Sequence, residues 1–277
     1  MTILETATET LRFDRDTGRL LSFRLRAAPA RELLASAPDH PVFALQHLDA
    51  RGEYRRLTSF EAHRRRVRLS AAPQGGQILT LQFDGLGGLP LAVTITVRAS
   101  RREPGTRWNL TVNNGAGLKI VDVQFPFVVV RPDPDSALLT PFYAGKLLKN
   151  PQPETLGPDA PPVWRMGIDN GTSGHYPGGN SAQFMAYGIG RTGLYLACED
   201  PQANIKLIRA THRPPGIRLG LAHVGDWPRR GVRTLEYDVV LRGFTGDWYD
   251  AADLYRAWSL RQAWATPLHR RTDIPPW

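Results

Sequence analysis

The sequence is poor in the residues that make disulfides, membrane spans and targeting signals. Cys198 is its single cysteine, so the 277-residue chain cannot form an internal disulfide, and a cysteine-based metal site is not expected. No apolar run approaches the roughly 18–20 residues that a membrane-spanning helix needs. The opening residues, MTILET, contain neither a basic segment nor an apolar one, so no signal peptide is visible and the sequence predicts a cytoplasmic protein without a membrane partner.

Lysine is also scarce, although the chain is basic. The 35 basic residues exceed the 26 acidic ones, which gives a net charge of +9, and all but four of the 35 are arginine. Positive charge makes polyanions candidate partners, but the arginines are spread along the chain. The one local cluster, HRRRVR at 63–68, would place Arg64, Arg66 and Arg68 on the outer face of a strand. Protection of a sheet edge is the favoured interpretation, so nucleic acid is not the expected partner and polyanion binding remains an alternative.

Familiar catalytic motifs are missing as well. The sequence contains no G-x-S-x-G, no H-E-x-x-H, no phosphate-binding loop and no dinucleotide fingerprint. The seven histidines have no ligand-type spacing, so we expect neither a metal nor a cofactor. If the chain were itself an epimerase or lyase, the pairs to test as general acid and base would be His175 with Glu199 or with Asp169.

Short strands separated by turn residues dominate what is present. LRFDRDTGRLLSFRLR at 11–26 predicts a hairpin that turns at Asp16–Gly18. One helix is predicted over 246–264, with Asp247 as its N-cap. The pattern indicates a mainly β fold: a large two-sheet antiparallel sandwich over 1–244, followed by a helix and tail over 245–277. The remaining strands are predicted at 42–48, 54–61, 65–71, 77–83, 91–99, 107–113, 118–130, 181–189, 193–199, 204–212, 216–223 and 232–241.

Between residues 131 and 180 the strand pattern gives way to stretches rich in proline and glycine. Long irregular segments in a compact protein are usually functional or disordered. Sugar binding requires flat aromatic surfaces beside amide and carboxylate groups, and this region and the strand after it offer both. The alternative is that the aromatic rings pack the loops onto a sheet while the amides bond to loop backbone. The candidate substrate-binding residues are Tyr143, Trp164, Tyr176, Asn180 and Gln183.

Several motifs taken in order resemble a known family. LRFDRDTGRLLSF, VDVQFPFV, YAGKLLKNP, YPGGNSAQFMAYG and GDWYDAADLYRAW with DIPPW resemble a bacterial family of glycoside-hydrolase-like proteins. In that family an N-terminal β-supersandwich, similar to galactose mutarotase, precedes a (β/α)8 barrel. The resemblance covers nearly the whole chain, and GDWYDAADLYRAW with DIPPW is its most specific part.

The resemblance implies an accessory role for this chain. Barrel enzymes carry their catalytic residues at the C-terminal ends of barrel strands, and no barrel segment follows Trp277 in this sequence. We therefore expect a sandwich that is non-catalytic alone and that supports the substrate cleft of a barrel domain or subunit. The main alternative is a mutarotase-like epimerase or lyase. The C-terminal helix should pack on the sandwich, and an apolar patch of the tail and the 142–180 loops should bind a partner or another copy.

Overall fold

The fold is mainly β, as the strand pattern predicts. The computed structural model describes residues 1–152, 156 and 173–273. Within this part of the chain, 19 strands form three sheets in which every pairing is antiparallel, and one α-helix lies near the C-terminal end. The predicted sandwich of two large sheets is present, and a small third sheet adds to it. No helix among the described residues is long and apolar enough to cross a membrane.

The N-terminal residues form the small sheet, which contains the predicted hairpin. Its turn is held by the Asp14 carboxylate, which accepts a hydrogen bond from the backbone N–H of Thr17 at 2.7 Å. Gly18 adopts a φ of 72°, a conformation that glycine reaches without steric cost. The sheet order is β1-β2-β3, with β1 (Thr2–Glu5), β2 (Glu9–Phe13) and β3 (Leu20–Leu25).

A six-stranded sheet forms one layer of the sandwich. Its order is β13-β16-β17-β10-β4-β5, so strands that are distant in sequence become neighbours. The strands are β4 (Ala44–Leu48), β5 (Tyr54–Thr58), β10 (Lys119–Val130), β13 (Ser173–Tyr176), β16 (Lys206–Arg213) and β17 (Gly216–Val224).

A ten-stranded sheet forms the other layer. Its order is β12-β11-β14-β15-β19-β9-β8-β7-β6, and β18 also pairs with β9. The strands are β6 (Ala62–Ala72), β7 (Gly76–Leu86), β8 (Leu91–Ser100), β9 (Thr106–Asn114), β11 (Ser136–Thr140), β12 (Lys146–Lys149), β14 (Phe184–Ile189), β15 (Thr192–Glu199), β18 (Gly231–Thr234) and β19 (Asp238–Thr245).

Apolar side chains from all three sheets form one core between the layers. The rings of Trp108 and Phe125 join the two large sheets, with centroids 6.1 Å apart, and Phe43 contacts Phe83 at 5.1 Å. Phe13 brings the small sheet onto Trp108 at 5.6 Å. Full burial of each such ring contributes on the order of 2–3 kcal/mol. These inter-sheet contacts fix the sandwich.

The helix α1 (Trp248–Ser259) packs on the outer face of the ten-stranded sheet, as predicted. Asp247 and Asp250 form a reciprocal cap: the Asp247 carboxylate accepts from the N–H of Tyr249, and the Asp250 carboxylate accepts from the N–H of Asp247, each at 2.8 Å. The ring of Tyr255 stacks on Phe184 of β14, with centroids 5.0 Å apart. The helix ends at Ser259, before the predicted end at residue 264.

Two strand predictions differ from the structure. The single strand predicted over 232–241 is divided into β18 and β19. Between them the Asn109 side chain donates to the carbonyls of Leu235 and Tyr237 at 3.0 Å each, so these carbonyls are bonded without a continuous strand. Strands β1, β11, β12 and β13 were not expected, since each has only four or five residues and is too short to show a period. The proposed boundary at 244/245 stays a prediction.

Candidate functional site

The turn after β13 is organised by the side chain of Asn180. Its backbone N–H donates to the His175 carbonyl at 2.8 Å, and its side-chain amide donates to the Gly174 carbonyl at 2.5 Å. The carbonyl of Gly179 in turn accepts from the N–H of Tyr143 at 2.7 Å. Asn180 is buried. Its amide therefore closes the turn onto β13, and the Gly179 carbonyl joins the turn to the segment that follows β11.

A fully buried lysine lies directly beneath this turn. The Lys206 ammonium donates to the Asp200 carboxylate at 2.7 Å, to the side-chain oxygen of Gln183 at 2.9 Å and to the Asn204 carbonyl at 2.6 Å. Gln183 then donates its own amide to the Asp200 carbonyl at 2.9 Å. All three ammonium hydrogens have acceptors, as a buried charge requires. We refer to Gln183, Asp200, Asn204 and Lys206 as the lysine network.

Aromatic rings enclose the lysine network. The Lys206 ammonium lies 5.2 Å from the ring centre of Tyr176 and 4.9 Å from that of Tyr237, which is within cation–π distance. Burial raises the pKa of Tyr176, and burial together with the neighbouring Tyr176 phenol raises the pKa of Tyr255 to about 12. Both phenols are therefore neutral at physiological pH.

His223 extends the buried polar groups toward the core. Its Nε2 lies 2.6 Å from the Phe125 carbonyl, which can only accept, so Nε2 carries the hydrogen and Nδ1 accepts from the Tyr237 hydroxyl at 2.7 Å. Burial, with a smaller contribution from the Lys206 charge, outweighs the Phe125 hydrogen bond and lowers the pKa of His223 to about 4. The ring is consequently neutral and fixed in one tautomer.

Above these buried groups lies a partly exposed surface, which we call the edge surface. It is defined by Tyr143, His175, Tyr176, Ile205 and Trp264. The side chains of Tyr143, Ile205 and Trp264 are each at least half exposed. The Trp264 indole donates to the Pro201 carbonyl at 3.2 Å, which places it beside the turn that precedes β16. The edge surface offers rings and aliphatic area, but no acid or base in a paired geometry.

The predicted site residues separate into distinct groups. Tyr143 and Tyr176 belong to the edge surface, whereas Asn180 and Gln183 are buried and use their amides within the chain, which is the alternative that the sequence left open. Trp164 lies outside the described residues.

The predicted pair of His175 and Glu199 draws its two members from different sheets. His175 lies in β13 of the six-stranded sheet, while Glu199 ends β15 of the ten-stranded sheet. The Glu199 carboxylate accepts from the Arg107 guanidinium at 2.6 Å. Asp169 lies outside the described residues. Among the described residues no three His, Cys, Asp or Glu side chains form a group suited to a metal ion.

A second polar region was missed by the sequence reasoning. It lies on the outer face of the six-stranded sheet, opposite the core-facing Val123 and Leu219. Alternation in VDVQF at 121–125 is the signal that places Asp122 and Gln124 on one face. The polar region carries carboxylate, amide, hydroxyl and guanidinium groups, which form hydrogen bonds with polar partners, and every one of its side chains is buried. The residues are Gln46, Asp122, Gln124, Arg209, Thr211 and Arg218.

The arginine cluster forms the edge of the ten-stranded sheet. Within the described residues strand β6 pairs only with β7, and Arg64, Arg66 and Arg68 are all exposed on it, alternating with Val67, which packs against the core. Arg64 forms an ion pair with Asp84 at 3.2 Å. A charged strand at the end of a sheet discourages edge-to-edge pairing, and this agrees with the favoured interpretation of the cluster.

Comparison with known proteins gives two sequence similarities. Residues 233–277 match the family described as a domain of unknown function, DUF6259. A Monosiga brevicollis protein named "Putative glycoside hydrolase 22789" is 34% identical over 120 residues. That similarity covers 38% of this chain and only 10% of the relative's length. The chain is therefore similar to a glycoside-hydrolase-like protein over a small part of that protein.

Solved structures show the same fold across almost the whole chain. An α-N-acetylgalactosaminidase from Bifidobacterium bifidum superposes with a TM-score of 0.67 at 19% identity, over 93% of this chain and 38% of that one. A Geobacillus stearothermophilus α-galactosidase superposes with a TM-score of 0.55 at 9% identity, over 94% of this chain and 43% of the enzyme. The chain spans less than half of either structural relative.

Proposed function

We propose that this chain is the β-sandwich part of a carbohydrate-active protein, and that it supports the substrate cleft of a (β/α)8 barrel without performing catalysis itself. The observation that carries the proposal is the coverage: 93% of this chain shares its fold with only 38% of the α-N-acetylgalactosaminidase. The sequence similarity to a named glycoside hydrolase supports the same relationship. Most of each relative's length lies outside the shared fold.

The chemistry of the described residues supports a non-catalytic role. Glycosidases place two carboxyl groups about 5–10 Å apart across the bond that they cleave. The edge surface contains no carboxylate. Asp200 beneath it is buried and bonded to Lys206, while Glu199 is held by Arg107 on the other sheet. Positioning, through rings and a rigid turn, is what this edge of the sandwich can contribute.

Hydrolysis assays test the catalytic part of the proposal. The names of the structural relatives make p-nitrophenyl α-galactoside and p-nitrophenyl α-N-acetylgalactosaminide the first substrates to use. We expect no turnover by the purified chain. Turnover that survives purification and is lost in Glu199→Gln or His175→Ala would overturn the proposal, provided that Glu103→Gln, a change at an exposed acid, keeps it.

The edge surface is the part that we assign to the partner barrel. Exposed aromatic and aliphatic area of this kind marks interaction surfaces and promotes self-association when uncovered. We expect light scattering to show concentration-dependent association of the chain alone. The double change Ile205→Ser with Trp264→Ser should reduce it, whereas Leu69→Ser, which removes a comparably exposed side chain on β6, should not. A strict monomer at high concentration would contradict the assignment.

A further inference from the structure

A cleft of about 460 Å³ lies on the outer face of the ten-stranded sheet, beside helix α1. Its walls come from the β6–β7 turn, the end of β8, the β8–β9 loop, strands β9, β15 and β19, and Leu254 of the helix. Sites for small molecules occupy about 300–1,000 Å³, so the cleft has the size of such a site. Four arginines line it, and we call it the arginine cleft. They are Arg98, Arg102, Arg107 and Arg242.

Two of the four arginines already have carboxylate partners. Arg98 donates to the Asp238 carboxylate at 2.6 Å, and Arg107 donates to the Glu199 carboxylate at 2.6 Å. Each of these arginine side chains is still nearly half exposed. A guanidinium has five N–H donors, so one carboxylate leaves part of each group open to a further acceptor.

The other two arginines keep their charges unpaired. Within the described residues, no carboxylate pairs with Arg102 or Arg242. The stem of Arg242 crosses Gly105, where an added Cβ would lie 3.0 Å from the Arg242 Cβ. The Nε of Arg242 is covered and has no hydrogen-bond partner, although the side chain as a whole is partly exposed. The amino groups at the tip of Arg242 are therefore the donors that a ligand reaches.

A buried carboxylate fixes the backbone on which these two arginines stand. Glu9 accepts from the N–H of Gly105 at 2.9 Å and from the N–H of Gly243 at 2.7 Å. Gly105 ends the loop that carries Arg102, and Gly243 directly follows Arg242. Donors on a fixed backbone lose less conformational entropy when a ligand binds. The arginine cleft is thus already organised in the free chain.

The balance of charge in the arginine cleft favours an anion. Burial, together with the charge of Glu199, raises the pKa of Tyr195 well above its usual value, so this phenol adds no negative charge. Within the described part of the lining, the exposed Glu103 is the one acid without an arginine partner. A phosphate carries about −1.5 to −2 charges at pH 7 and three acceptor oxygens. It therefore satisfies more of the open donors than a carboxylate does.

We propose that the arginine cleft binds a phosphate group, with the amino groups of Arg102 and Arg242 as its main donors. Free phosphate and the phosphate of a small ester present the same group to these arginines. The site goes beyond the proposed accessory role, since none of its residues belongs to the edge surface and its occupation requires no partner barrel. Failure of this proposal would leave the proposed function untouched, and the reverse also holds.

Calorimetric titrations of the whole chain at low ionic strength test the proposal. The probes are inorganic phosphate, D-galactose 1-phosphate and, as a carboxylate, D-glucuronate. Arg242→Gln and Arg102→Gln each remove one unpaired guanidinium, and Glu103→Gln removes the unpaired acid. Arg66→Gln is the matched control, because it removes one exposed positive charge from the β6 edge, outside the lining.

We expect both phosphate probes to bind saturably and more tightly than D-glucuronate. Arg242→Gln should weaken phosphate binding about tenfold or more, as the loss of a charged hydrogen bond implies, and Arg102→Gln should also weaken it. Glu103→Gln should strengthen binding about twofold, and Arg66→Gln should change it less than twofold because its charge is distant and screened. Tighter binding of the ester would place its sugar in the cleft, whereas equal affinities would identify free phosphate as the ligand.

An NMR titration of the wild-type chain keeps the test decisive if a variant does not fold. The side-chain Nε–H resonance of Arg242 should shift when phosphate is added, and that of Arg66 should not. The proposal is overturned if neither phosphate probe binds, if D-glucuronate binds as tightly as phosphate, or if Arg66→Gln weakens binding as much as Arg242→Gln does. An Arg242 resonance that does not respond to bound phosphate would also overturn it.

Discussion

Two ion pairs that start from adjacent residues show how differently the regions of this molecule are held together. Glu199 pairs with Arg107 at 2.6 Å on the outer face of the ten-stranded sheet, where 46% of the arginine side chain is exposed. Asp200 pairs with Lys206 at 2.7 Å, and both of those side chains are fully buried. The distances are nearly equal, so the surroundings decide what each pair contributes.

Water solvates the charges of the outer pair whether or not the pair forms, so the pair contributes little. The inner pair has lost its water, and its stability depends on every remaining hydrogen bond being made within the lysine network. The edge of the six-stranded sheet is thus held by complete polar bonding, whereas the sandwich itself is held by apolar contact between sheets. Each region should respond differently to substitution.

The largest effect is expected for Lys206→Met. This change leaves the Asp200 carboxylate buried without its counter-charge, and removing one partner of a buried pair costs about 3–5 kcal/mol. Urea unfolding followed by fluorescence measures the free energy of unfolding. Changing both partners, in Lys206→Met with Asp200→Asn, should cost less than the single change. If Lys206→Met lowers the free energy of unfolding by less than about 1 kcal/mol, the buried hydrogen bonds of the lysine network do not stabilise this edge of the sheet.

An apolar contact near the same edge should respond next most strongly. The Trp258 side chain of α1 is only 6% exposed and contacts the rings of Tyr255 and Trp264. Trp258→Ala should lower the free energy of unfolding by about 3 kcal/mol, because it removes a large buried ring and leaves a cavity. Trp248→Ala, which truncates a half-exposed ring of the same helix, is the matched control and should cost much less. Equal losses would show that α1 is not anchored by Trp258.

Acid should lower the free energy of unfolding through His223, which is buried beside the lysine network. Its folded pKa is lowered from 6.5 to about 4, so the unfolded chain binds the proton more readily. The stabilisation that the neutral His223 contributes to the folded state is complete above pH 6.5 and is lost as the pH falls to about 4. At 1.36 kcal/mol per pKa unit it amounts to about 3 kcal/mol.

His223→Gln should reduce this pH dependence, while His40, with its pKa of about 3, continues to contribute at lower pH. Unfolding free energies measured from pH 4 to pH 7 check the slope. The same slope in the variant and the wild type would contradict a neutral, buried His223.

The smallest effect is expected for the exposed pair. Arg107→Leu should change the free energy of unfolding by about 0.5 kcal/mol, and the change should shrink further in high salt because the pair is solvated. Urea unfolding at low and high salt measures both quantities. A loss as large as that of Lys206→Met would remove the distinction between the two regions.

Much of the fold could be read from local patterns. The hairpin at residues 11–26, the alternation in LAVTITVRA and the capping aspartate of α1 each predict their element, because a strand or a helix repeats its side-chain direction every few residues. The short strands β11, β12 and β13 could not be found in this way, since four or five residues carry too little of a period.

The candidate site was only partly accessible to the same reasoning. Sequence identified the 175–183 stretch and its aromatic residues, but it could not distinguish an amide that faces a ligand from one that closes a turn. Gln183 and Asn180 proved to be buried and bonded to the chain. The contacts that show this link strands far apart in sequence, so they follow from sheet order and not from local composition.

The sequence by itself determined that this chain forms antiparallel strands with one capped helix, because those elements depend on the order of neighbouring side chains. Only the tertiary structure decided that Glu199 pairs with the half-exposed Arg107 on an outer face while Asp200, the next residue, meets Lys206 in the interior. The strand that ends at Glu199 sends its last side chain to the outer face, and the chain then turns inward against β16. Whether a charge is solvated or buried depends on what packs around it, and that is set by the meeting of distant segments.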